Sequence, residues 1–384
     1  MSASRLIRAA ILPDYDQPIE VTTVTLDAPQ HGEVLVRLVA AGVCHSDGHV
    51  VTGHLPLPTP IVLGHEGAGV VEEVGIGVTH LRPGDRVMVS WIPACGHCWW
   101  CVNGQPELCE QANTSAVTGE RPDGSTRLHW HGAPLYPFSS AGTWAEAAVV
   151  PATSVVPIPD QLPYAEAALL GCAVQTGVGA ALRSPLRPGD TVAVIGCGGV
   201  GLNIIQGSRI RGASTILAVD PSAENRELAL IMGAHHAINP SQEDALTAIL
   251  DLTADRGVDV AFEAVGQPEL IALAFAAARR GGTAIAVGVP TPNATVSVNA
   301  FAFASQEKTL TGSWFGGSYA PRDVPRLIAL WERQQLQLTS LIRRQYPLDA
   351  AGEALYQLLH HPAGRNLITF PSSPIPPDIS EKGA

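Results

Sequence analysis

The chain has 384 residues, 46% of them hydrophobic and 15% charged, which implies two or three domains at roughly 150 residues each and excludes a disordered or low-complexity protein. A formal charge of −12 repels phosphate backbones and anionic lipid heads, so nucleic acid is not an expected partner. No apolar run reaches the roughly 18 residues of a membrane span, and the opening Met-Ser-Ala-Ser-Arg lacks an apolar leader, so the expected location is cytoplasmic.

Residues 5–150 are rich in Val, Thr, Gly and Pro, with short alternating runs at 33–40 and 69–74 that predict an antiparallel, β-rich domain. Cys44 follows the first run in G-V-C-H-S-D-G-H, and His65 with Glu66 precedes the second in L-G-H-E-G-A-G-V-V. Together with Cys172, these offer two thiolates and an imidazole, a set that leaves a fourth position of a zinc ion open. Spacing alone leaves ligation and ordinary core packing both open. Four further cysteines, Cys95, Cys98, Cys101 and Cys109, crowd into fifteen residues. In a reducing compartment that spacing predicts a structural Zn²⁺ knuckle in preference to disulfides.

From residue 187 the texture changes. An apolar strand at 191–195 runs into G-C-G-G-V-G, Gly196 to Gly201, which opens a helix to about residue 211, and a second strand at 214–219 ends at Asp220. This is a dinucleotide fingerprint in its required strand–turn–helix context, with Gly196, Gly198, Gly199, Val200 and Gly201 forming the phosphate turn. A carboxylate at position 220 suits ribose hydroxyls and repels a 2′-phosphate, so NAD is favoured over NADP. Arg226 lies close enough to soften that preference, or sits on a solvated helix face. Strands at 258–264, 283–289 and 308–315, with a helix at 268–279, continue a six-stranded, doubly wound parallel sheet. Helices at 321–335 and 348–361 and a strand at 367–370 follow, and residues 371–384 read as a flexible tail. Cys197 is expected to be an apolar filler of the turn.

Taken together, C-H-S-D-G-H at 44–49, G-H-E-G-A-G-V-V-E-E-V-G at 64–75, the four-cysteine knuckle, G-C-A-V-Q-T-G-V-G at 171–179 and the glycine turn resemble the zinc-dependent alcohol dehydrogenases of the medium-chain dehydrogenase/reductase superfamily. The resemblance spans about residues 7–370. It implies an α/β fold, a Rossmann doubly wound sheet (174–315) plus a β-rich GroES-like catalytic domain (1–173 and 316–370), with the active cleft between them. It implies two Zn²⁺ per subunit: Cys44, His65 and Cys172 as catalytic ligands, Cys95, Cys98, Cys101 and Cys109 as structural ones, and Asp47 and Glu66 as residues that orient or exchange with the catalytic ligands. The implied reaction is hydride transfer between an alcohol and NAD, with a proton leaving through Ser46, the nicotinamide ribose and His49. His45 and Arg365 are placed at the cofactor pyrophosphate, and Val287 and Val289 also belong to the cofactor site. Relatives with arginine at the first position hold the phosphate more firmly, so His45 implies a pH-dependent contact. Leu55, Trp91, Phe138, Val289 and Trp314 are expected to line a pocket for apolar or aromatic alcohols.

The glutathione-dependent formaldehyde dehydrogenase branch carries acidic residues near position 54 and an arginine near position 113. His54 and Asn113 stand here, which argues against that activity. A second reading is a nicotinoprotein alcohol dehydrogenase with permanently bound NAD(H) and an external acceptor, to which S-W-I-P-A-C-G-H-C-W-W-C and the stretch from P-D-G-S-T-R to Y-P-F are similar. A third, a zinc-bearing binding protein without turnover, conflicts with the joint presence of ligands, relay and coenzyme turn. The segment 112–143 resembles that of dimeric members, so a homodimer through the nucleotide sheets is expected.

Overall fold

The computed structural model describes residues 4–361 and 363–371. Of the segment expected to form a tail, all but Pro371 lies outside the described residues.

The N-terminal half is β-rich, as its alternation predicts. Arg5–Leu12 and Glu20–Leu26 pair antiparallel, and with Leu128–Trp130, Ala133–Pro137 and Ile61–Val62 they close a five-stranded barrel. The segment 112–143 thus supplies two of the barrel's strands. It is tied down by Arg121 and Arg127, whose Nε atoms lie 3.0 and 2.8 Å from the two carboxylate oxygens of buried Glu33. Removing one member of such a buried charge group leaves the others uncompensated.

A second sheet centres on Glu33–Val43, flanked by Gly67–Val74 and Ala147–Pro151. Its opposite end is filled from the far C-terminus, because Arg365–Thr369 pairs antiparallel with Glu33–Val43 at Asn366↔Val43, and Ile342–Pro347 lies parallel beside it. The chain therefore leaves this unit, builds another, and returns.

The intervening unit is a six-stranded parallel sheet in the order His236–Ile238, Thr215–Val219, Thr191–Ile195, Val258–Glu263, Ala278–Ala286, Thr309–Gly312. Thr191–Ile195 is buried along its whole length, which accounts for its uninterrupted apolar run. Element ends differ from the sequence reading where tertiary hydrogen bonds decide them. The helix expected at 268–279 stops at Ala277 because Ala278 pairs with Val258. The following strand ends at Ala286, since Val287 N and Gly288 N both donate to Glu263 O. The last strand stops at Gly312; Phe315 and Gly316, at φ 52° and 64°, then reverse the chain. The helix expected at 348–361 spans Ala351–His360, behind a single turn at Leu348–Ala350.

Candidate active site and metal centres

Cys44 sits at the N-cap of the short helix His45–Val51, where the sheet strand ending at Val43 releases the chain. Asp47, three residues on and fully buried, binds the ends of two loops together: its Oδ2 accepts from Cys44 N at 2.8 Å and its Oδ1 from Gly64 N at 2.9 Å. The same Oδ1 stands 3.5 Å from His65 Nδ1, which orients the ring and leaves its other nitrogen free for a ligand. Cys172, N-cap of Ala173–Arg183, completes the group. One ligand atom from each of Cys44, His65, Glu66 and Cys172 lies within 4.8 Å of the others, all four residues buried.

Cys44 is held well below its ordinary thiol range, chiefly by a hydrogen bond from Cys172, against the effect of burial. Cys172 is pushed well above its range by the same bond and by burial. Burial disfavours charge on His65, yet Asp47 and Cys44 outweigh it and bring the imidazole up to about 10. Burial likewise raises the Glu66 carboxyl against the pull of Arg365. Two soft thiolates and an imidazole converging this closely suit tetrahedral zinc.

The knuckle cysteines form a second set within 4.8 Å. Its N–H groups are turned onto sulfur, Cys98 N to Cys95 Sγ and Cys95 N to Cys109 Sγ, both at 3.3 Å. The backbone N–H of Cys101 brings Cys98 down to about 6, while burial pushes Cys101 up to about 12. All seven cysteines are free thiols, so none of them is spent in a disulfide.

The glycine turn leads from Thr191–Ile195 into the helix Gly199–Ile210. Gly196 has φ +89°, and a Cβ at Gly201 would stand 1.8 Å from Gly196 O, so neither position tolerates a side chain. A Cβ at Gly198 would meet no atom within 4 Å, so the turn borders open space there. Asp220 closes the far side: its Oδ2 accepts from Cys197 N and its Oδ1 from Ser222 N, each at 2.8 Å. Asn225, which the sequence reading missed, donates to both oxygens at 3.2 Å and fixes the carboxylate. Arg226 donates to the carbonyls of Asp220 and Pro221 at 2.8 Å.

Arg365 joins the two sites. Its guanidinium hydrogen-bonds the Glu66 carboxylate, and its Cδ lies 2.4 Å from where a Cβ of Gly199 would be. Burial lowers the pKa of His45, with Cys44 opposing and Arg365 adding to the effect, which places His45 within reach of the same charge. Ser46 Oγ lies 3.7 Å from Cys44 Sγ. His49, one helical turn beyond Ser46 and partly exposed, is lowered by burial and raised by Cys44.

Aromatic rings surround His65. Its ring centroid is 4.9 Å from Phe138 and 6.5 Å from Trp91, and Trp91 is 5.5 Å from Trp314 and 5.1 Å from Phe315. Leu55 packs against the cluster that contains Phe138. Val287 is buried at the exit of its strand. Val289 is 45% exposed and its backbone lies against Gly266. Phe315 was not anticipated, because only the left-handed turn at 315–316 brings it back onto Trp91. Glu263 was also missed. It is fully buried and its Oε1 accepts from Val265 N and Gly266 N at 2.8 and 2.7 Å, which fixes the loop behind Gly196.

Residues 30–160 match the model of the alcohol dehydrogenase GroES-like domain and residues 199–333 that of the zinc-binding dehydrogenase domain. A Mycobacterium tuberculosis protein provisionally named alcohol dehydrogenase D is 41% identical over 354 residues, 91% of this chain and 96% of that one. The chain belongs to the zinc-dependent alcohol dehydrogenases of the medium-chain superfamily. The NDMA-dependent alcohol dehydrogenase of Amycolatopsis methanolica is 39% identical over 91% of this chain and 95% of its own. Among solved structures, benzyl alcohol dehydrogenase from Acinetobacter calcoaceticus superposes with a TM-score of 0.91 at 30% identity, covering 96% of this chain and all of that one. The GroES-like and Rossmann-type units described above are those of this alcohol dehydrogenase family, and the protein is an oxidoreductase.

Proposed function

We propose that this alcohol dehydrogenase catalyses reversible hydride transfer between a primary or secondary alcohol, apolar or aromatic, and NAD. The observation that carries the reading is Arg365, which spans from the glycine turn to Glu66 and so sets a nucleotide site directly against the Cys44/His65/Cys172 group. Zinc held by Cys44, His65 and Cys172 would supply the Lewis acidity that lets an alcohol ionise near neutral pH, and NAD on the glycine turn and Asp220 the hydride acceptor. The protein's own groups do the rest. Asp47 fixes the His65 ring, Glu66 and Arg365 balance charge, Ser46 takes the alcohol's proton, and His49 passes it to solvent. The ring wall around His65 excludes water and favours an aromatic substrate. Cys95, Cys98, Cys101 and Cys109 hold a structural zinc, and the catalytic domain runs over 1–173 and 316–370.

The test is oxidation of benzyl alcohol with NAD, followed as NADH absorbance, in the wild type and in Cys44→Ser. Turnover by the wild type, with a loss of about a thousandfold or more in the variant, is expected; equal rates in metal-quantified protein would refute the ligand assignment. The likeness to a relative named as NDMA-dependent favours a second reading, in which NAD(H) stays bound and an external compound accepts the reducing equivalents.

A further inference from the structure

The strand Val258–Glu263 ends on a carboxylate that the proposed chemistry leaves unused. Glu263 is in register with Ile195 on one side and with Ala286 on the other. Chain order reverses between Thr191–Ile195 and Val258–Glu263, and a dinucleotide lies across such a crevice. With the phosphate turn and Asp220 on one side of it, the nicotinamide half falls toward the exit of Ala278–Ala286, at residues 287–289. That exit hangs on Glu263. Val287 N and Gly288 N donate to Glu263 O at 2.8 and 3.0 Å. The loop after Glu263 packs against the same stretch: a Cβ at Gly288 would stand 2.1 Å from Gly266 N, and one at Gly266 2.6 Å from Val289 O. The side chain in turn holds that loop. Its Oε1 accepts from Val265 N, Gly266 N and Gln267 N at 2.8, 2.7 and 3.4 Å, while Oε2 is buried without a partner. A fully buried carboxylate is costly, and what it supplies beyond a neutral amide is charge-assisted strength in those bonds. The phosphate turn has anchors of its own, Gly196 N on Val219 O at 2.9 Å and Cys197 N on Asp220 at 2.8 Å.

Resting on the function proposed above, we propose that Glu263 is a positioning residue for the coenzyme, its carboxylate clamping the loop 264–267 so that residues 287–289 are set to receive the nicotinamide half. The test titrates nucleotide-free protein with NADH and with ADP-ribose, which keeps the diphosphate and lacks the nicotinamide, by isothermal titration calorimetry. Glu263→Gln keeps the size of the side chain and an acceptor at Oε1, and removes the charge. It should raise the Kd of NADH by about fivefold to tenfold and leave that of ADP-ribose within about twofold. A second readout is the fluorescence of the bound nicotinamide, which reports its own surroundings. At saturation it should move toward that of free NADH in the variant. Gly288→Ala presses on Gly266 from the other side with the carboxylate intact, so it should give the same split, and it carries the test if Glu263→Gln does not fold. A purely structural carboxylate would lower the melting temperature and leave both constants in place, or shift both alike; either result overturns the proposal. Failure of the wild type to bind NADH or ADP-ribose would instead overturn the nucleotide-site reading beneath it.

Discussion

Asp220 shows how far a single carboxylate can be committed before any ligand arrives. Both oxygens already accept from backbone N–H groups and from Asn225, so the charge is fixed in place just past the strand Thr215–Val219. In the reading proposed above, replacing it by glycine removes the repulsion of a 2′-phosphate and the ribose contact together. Asp220→Gly is expected to shift the ratio of kcat/KM for NAD over NADP toward NADP by roughly tenfold or more, the scale of one charge-assisted hydrogen bond; an unchanged ratio would assign the preference to another residue. Position 220 was legible in the sequence because the fingerprint spacing marks it. Asn225 was not, because a polar residue in the first turns of a helix gives no sign of which side chain it meets. The Cys44 prediction rests on ligand softness: serine keeps the size and the N-cap position but offers a hard, protonated hydroxyl in place of a thiolate.

Among the elements, the cysteine knuckle was the most legible and the insertion after it the least. Ligand spacing is a local property, so four cysteines within fifteen residues declare their purpose without the fold. Cys172 stands 107 residues from His65, and the packing of Ala173–Arg183 on the helix Gly199–Ile210 and the turn Phe315–Gly317 puts its sulfur beside Cys44. The segment 112–143 carried no strand assignment in the sequence, yet it closes the barrel, because register with Glu20–Leu26 and Ile61–Val62 is a long-range pairing that no short pattern encodes. The knuckle holds itself through N–H to sulfur bonds and packs Cys109 with Ile92, Ala94, Ala112 and Phe315. The zinc proposed there would be linked to folding. Cys101→Ser should lower the melting temperature by at least about 5 °C, measured by differential scanning calorimetry at fixed zinc, and an unchanged midpoint would contradict a structural role.

At the scale of the whole molecule, the chain's return from the nucleotide sheet to the first sheet matters most, since it carries Arg365 from the C-terminus to the junction of both sites. The change of texture near residue 187 marked two units, whereas the chain's return to the first sheet was expected only from the family resemblance, for it depends on one strand pairing with another more than 300 residues away. No helix among the described residues is long and apolar enough to cross a membrane. The sheet's outer strand Thr309–Gly312 is largely exposed, and the helix Ala300–Ser305 before it leaves Phe301 80% exposed. We propose that a second copy covers this edge. Light scattering should then give about twice the 40.2 kDa chain mass, and Phe301→Glu should shift it toward the monomer; a wild-type monomer at micromolar concentration would contradict the dimer. The most direct test of the central claim is to denature freshly purified, desalted protein and count zinc and nicotinamide nucleotide per subunit. The account predicts about two zinc ions and no retained nucleotide. A single zinc that does not rise on reloading would contradict the two metal centres, and nearly one nucleotide per subunit would contradict an exchanging cofactor in favour of the permanently bound one.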